Sequence, residues 1–109
     1  MAYDERMAMR LRLLLEDLAV AEEKKMFGGV GYLVNGNMTC GVNGRRLILR
    51  LDPAEYEEAL AKPHVRQFDM TGRPMKGWVT VEPAGVESDS ALRAWVERGL
   101  RYVLTLPPK

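Results

Sequence analysis

KMFGGVGYLVNGNMTCGVNGRRLILRL, residues 25–51, carries two Asn-Gly pairs between short apolar runs. Asn-Gly is the strongest short-range hairpin signal. A two-residue type I′ turn needs positive φ at both central positions, which Asn and Gly adopt at the least steric cost. Two such turns predict a three-stranded meander. A turn centred on Asn35-Gly36 pairs Val34 with Asn37, Leu33 with Met38, Tyr32 with Thr39 and Gly31 with Cys40. One centred on Asn43-Gly44 pairs Val42 with Arg45, Cys40 with Leu47, Thr39 with Ile48 and Met38 with Leu49. Alternation then puts Leu33, Met38, Cys40, Leu47 and Leu49 on one face, the expected core. The other face receives Val30, Tyr32, Val34, Thr39, Ile48, Arg46 and Arg50. A three-residue bulged turn at either site would flip part of this assignment.

Upstream, Met7, Leu11, Leu14, Leu15 and Leu18 recur at spacings of three and four, which predicts an amphipathic helix from Asp4 to about Ala19 packed on the sheet. Met9 and Leu13 lie off that stripe and suggest a wider buried face, while Arg6, Arg10, Arg12, Glu16 and Asp17 are its solvated remainder. The glycines from Gly28 to Gly31 do not make a phosphate loop, because Val34 stands where the dinucleotide pattern needs its third glycine and no Gly-Lys-Ser/Thr follows. Gly29 and Gly31 are instead expected on the core face, where a missing side chain admits a helix or marks a bulge.

Downstream, Asp52-Pro53-Ala54-Glu55 has the N-cap, the first-turn proline and the capping-box glutamate of a short helix, which ends near Ala61 before Lys62-Pro63. Trp78-Val79-Thr80-Val81 is a strand. Ser88-Asp89-Ser90 opens a last helix with the apolar stripe Leu92, Trp95, Val96, Gly99, Leu100 and Val103. Gly99 costs about 1 kcal/mol in a helix interior, so a close contact with a neighbouring element is expected there. Pro107-Pro108-Lys109 forms an extended tail.

One domain is the natural reading of 109 residues. The single cysteine, Cys40, excludes an internal disulfide or a thiolate metal cluster, and the single histidine, His64, excludes a histidine metal site or a histidine pair. Sixteen basic against fifteen acidic residues argue against tight binding through phosphate neutralisation. The charged N-terminal stretch is neither a secretory signal nor a membrane span, so a reducing, cytoplasmic home is expected. No nucleophile with its base and no paired carboxylates on one element can be found. Hence neither catalysis nor a cofactor is expected.

MFGGVGYLVNG, LILRL, FDMTGRPMKGW and LRAWVERGLRYVLTLPPK, in that order, closely resemble the N-terminal domain of the TfoX family, also called Sxy. The resemblance spans nearly the whole chain. It implies a two-layer α+β fold similar to type III secretion chaperones, in the order α-β-β-β-α-β-β-α, with an antiparallel meander sheet and the helices on one face. The segment from Arg66 to Met70 would then be the fourth strand. Long-form members are regulators of natural competence that act as coactivators with the cyclic-AMP receptor protein and carry a further C-terminal helical domain. This chain is expected to be a stand-alone form without it.

The leading reading is a non-enzymatic protein-interaction module of this kind. A second reading is a binder of a small anion or nucleotide, in which Arg66, Asp69, Arg73 and Lys76 gather around Trp78. A third is direct nucleic-acid binding by Arg45, Arg46 and Arg50, with Tyr32 as a stacking platform. Finally, Val30, Tyr32, Val34 and Ile48, rimmed by Arg46 and Arg50, would form an exposed patch through which two copies could pair as a homodimer.

Overall fold

Asn35 and Gly36 turn the chain with φ of +54° and +80°, the signs a type I′ turn requires. The computed structural model describes residues 3–18, 21–26, 28–68 and 75–109. Val34 pairs with Asn37 and Leu33 with Met38, as the turn dictates. Beyond them the register shifts, because Thr39 bulges out of its strand and Tyr32 meets Cys40 instead. Gly31 accordingly faces Gly41 and Val30 faces Val42.

The second turn also differs from expectation. Asn43 pairs with Arg46, so Gly44 and Arg45 are the central residues, and only Gly44, at φ +60°, is left-handed. A positive φ confined to the first central residue is the type II′ pattern. Cys40 therefore meets Leu49 rather than Leu47, a slip of two that keeps both leucines on the core face.

These turns join β2 (Gly29–Val34), β3 (Asn37–Asn43) and β4 (Arg46–Arg50). A strand not foreseen in the sequence, β1 (Glu22–Met26), adds to the edge beside β2. Its Glu-Glu-Lys-Lys run suits an edge, where charge discourages pairing with other chains. After α2 (Tyr56–Leu60) come β5 (Val65–Gln67) and β6 (Trp78–Val81), and β6 lies against β4. The sheet is antiparallel with six strands in the order β1-β2-β3-β4-β6-β5, so the meander holds for the first four strands and the last hairpin enters reversed. The fold is α+β.

α1 (Glu5–Leu18), α2 and α3 (Asp89–Val103) all pack on one face. Val30, Tyr32, Cys40, Val42, Leu47, Leu49, Val79 and Val81 line that face beneath Met7, Leu11, Leu15, Tyr56, Leu92 and Val96. Leu14 and Trp95 pack at the margin of this core. A smaller cluster joins Val34 to Leu100 and Val103. Leu33 and Met38, expected in the core, are half-buried on the opposite face, and Gly31 accompanies them there. The bulge is the cause. One unpaired residue reverses which way every earlier side chain of β2 points relative to β3.

Local chemistry explains the helix starts. Asp52 Oδ1 accepts from Ala54 N at 2.9 Å, and Ser88 Oγ accepts from Ala91 N at 3.1 Å. Glu55 does not close the expected capping box. Its carboxylate accepts instead from Arg98 Nη2 on α3 at 2.8 Å, and Glu58 accepts from the same nitrogen at 2.7 Å. Arg98 also lies 5.1 Å from the Trp95 ring centroid, so one guanidinium fastens α2 to α3. The tail returns to the first hairpin, where Lys109 N donates to Asn35 O at 2.8 Å and Asn37 Nδ2 donates to Pro107 O at 3.0 Å.

Candidate functional site

On the face without helices, one row of side chains crosses the whole sheet: Lys24, Gly31, Gly41, Ile48, Thr80 and Arg66. Alternation places Arg46, Arg50 and Trp78 on the same face. Of the residues expected to hold an anion or a partner, Arg66 and Trp78 lie on this surface. Asp69 and Arg73 lie outside the described residues. Arg66 is exposed, and its Nε stands 3.1 Å from Glu82, just beyond β6. Arg46 Nε reaches the same carboxylate at 3.2 Å. Glu82 thus holds two arginines at one end of the sheet.

At the other end, Arg50 lies opposite Trp78. Its guanidinium stands 5.4 Å from the Trp78 ring centroid and 5.7 Å from that of Tyr102, on α3. Trp78 also packs against Phe68, with centroids 6.0 Å apart. Attraction of a cation to ring faces stabilises such an arrangement by about 0.5–2 kcal/mol. Lys76 is exposed. The structure therefore brings Trp78 together with Arg50 and carries Arg66 away from it toward Glu82. Glu82 and Tyr102 were not singled out in the sequence. No local signal marks them, since Glu82 meets Arg46 and Arg66 only through the pairing of β6 between β4 and β5.

The expected oligomer patch is not on the open face. Val30 and Tyr32 are 2% exposed and Val34 is 3% exposed, all turned beneath the helices by the bulge at Thr39. Ile48 keeps its place on the open face and is 3% exposed. Tyr32 cannot serve as a stacking platform, because its hydroxyl donates to Ala8 O of α1 at 3.1 Å inside the core. Burial, then the neighbouring Glu23 carboxylate, pushes its phenol above the ordinary tyrosine range. Burial likewise pushes the Cys40 thiol up to about 12, which keeps it protonated and unreactive. No three His, Cys, Asp or Glu side chains among the described residues are grouped to hold a metal.

Elsewhere charges fasten one element to another. The Arg98 bond, followed by that of Lys62, holds the Glu58 carboxyl below its ordinary range. A carboxylate lowered in the native state stabilises the fold above its unfolded-state pKa, and that contribution is lost as pH falls through the native value. Unfolding free energy should therefore drop below about pH 4.3, and Glu58→Gln should flatten that acid limb. Denaturant melts between about pH 6 and pH 3 check this; an unchanged slope in the variant would refute it.

These features define a two-layer α+β domain in which Arg46, Arg66, Arg93 and Arg98 each fasten one element to another. Residues 13–102 match the family described as TfoX N-terminal domain, and the chain belongs to that family. No curated protein matches the chain. The matched stretch runs from the middle of α1 to the last turn of α3.

Proposed function

We propose that this chain is a non-enzymatic protein-interaction module with a TfoX-like role, working in the cytoplasm on the control of competence genes or transcription. The observation that carries this reading is the family match over residues 13–102, which takes in the sheet, α2, the charged β5–β6 hairpin and nearly all of α3. Two structural features support a role in contact rather than catalysis. Cys40, a potential nucleophile, is sealed in the core, and Arg46 and Arg66 on the open face are tied to Glu82. No helix among the described residues is long and apolar enough to cross a membrane.

The partner this reading names first is the cyclic-AMP receptor protein, as for long-form relatives of the family. Fluorescence anisotropy tests it directly. Adding the chain to the cyclic-AMP-loaded receptor on labelled promoter DNA should raise the anisotropy saturably, whereas the chain and DNA alone should show no saturable rise at physiological salt. An unchanged signal at saturating chain would reject the coactivator role.

A further inference from the structure

Met9 and Leu13 were expected to widen the buried face of α1, yet they are 50% and 60% exposed. They sit one turn apart on its outer side, opposite the core contacts Met7, Ala8, Leu11 and Leu15. Arg6 precedes them by three residues and Glu16 follows by three, so residues 6, 9, 13 and 16 form one straight ridge at the spacing of a coiled-coil seam. Of the other α1 charges, Glu5 is exposed in the first turn and the remaining three are committed within the chain. Arg10 pairs with Asp89 at 3.2 Å, Arg12 with Glu23 at 2.8 Å, and Asp17 with Arg93 at 3.2 Å. Among the described residues, no partner reaches the side chain of Arg6 or of Glu16, and only the Arg6 backbone N–H is bonded, to Asp4 Oδ1 at 2.9 Å.

From this ridge we infer that α1 is a docking surface for the α1 of a second copy, packed antiparallel about a two-fold axis. In that register Met9 meets Leu13 of the other copy, and Arg6 meets its Glu16, each pair occurring twice. The ridge is self-complementary because its positive end and negative end exchange under the two-fold. The two-fold sets each flank of the ridge against the same flank of the other copy, so Arg10 would stand near Arg10 and Arg12 near Arg12, but each is already neutralised within its own protomer by Asp89 or Glu23. The parallel arrangement is disfavoured, since it sets Arg6 on Arg6 and Glu16 on Glu16. Glu16 and the two exposed apolar residues thereby acquire a common role that the monomer does not give them. A contact of two short helices falls below the roughly 1,200 Å² of a stable interface, so the dimer is weak, with a dissociation constant on the order of 0.1 mM.

Sedimentation equilibrium of the full chain up to about 1 mM tests the proposal. The wild type should pass from monomer to dimer over that range. Leu13→Asp, an exposed change that leaves the thermal midpoint in place, should weaken association by at least about tenfold. Arg6→Glu alone should weaken it as well, and the exchange Arg6→Glu with Glu16→Arg should restore it to within about twofold of wild type. A monomer at the highest concentration overturns the proposal and leaves the ridge to a partner of another sequence. A dimer untouched by Leu13→Asp overturns it by placing the contact elsewhere, and an exchange variant as weak as Arg6→Glu overturns the antiparallel pairing.

Discussion

Leu49→Ala should lower the unfolding free energy by about 2–5 kcal/mol. Leu49 is fully buried in the centre of β4, between Cys40 on β3 and Val79 on β6. Its Cδ1 lies against the backbone of α3 at Gly99. Truncation removes three carbons from beneath a helix that the strand itself holds at a fixed height, so the space left can collapse only in part. The loss is then transfer free energy plus a cavity. Denaturant unfolding measures it, and a loss under about 0.5 kcal/mol would mean that Leu49 is not under α3.

Gly99→Ala should destabilise the protein, against the helix-propensity gain of about 1 kcal/mol that the same change gives at a free helical site. A Cβ at residue 99 would stand 2.8 Å from Arg50 O and 2.8 Å from Leu49 Cδ1. The leucine methyl can turn aside. The carbonyl cannot, because it belongs to a strand with neighbours on both sides, so α3 must rise and loosen its packing across the sheet. The net loss should be about 1–3 kcal/mol, as for an overpacked core. The two changes share a contact, so the double variant should lose less than the sum of the singles. A Gly99→Ala protein that melts above wild type would disprove the close approach.

The expectation at Gly99 could be formed from the sequence because a glycine on the apolar stripe of a helix is costly unless something needs the room. What needed it, the β4 backbone, could not be read there. The same division runs through the candidate site. The β5–β6 hairpin was visible as a charged stretch with aromatic anchors, but its strand β5 is only three residues long and carries no periodicity. Arg66 finds Glu82, and Arg50 finds Trp78 and Tyr102, by pairings that join segments up to about fifty residues apart. β1 was missed for a related reason: its Glu-Glu-Lys-Lys run has poor strand propensity, and it is a strand because β2 offers an edge.

By itself the sequence determined the features that a few adjacent residues decide: the type I′ turn at Asn35-Gly36, the spans of α1 and α3, the caps at Asp52 and Ser88, the strand from Trp78 to Val81, and family membership through its ordered motifs. Only the tertiary structure decided which side of β2 is buried. The unpaired residue at Thr39 turns Val30, Tyr32 and Val34 under the helices and leaves Leu33 and Met38 on the open face. Both faces of β2 offer apolar side chains, so local alternation permits either choice. The bulge prevails because it sets Tyr32 beneath α1, where its ring is buried and its hydroxyl finds Ala8 O, a partner that exists only once the helix has docked.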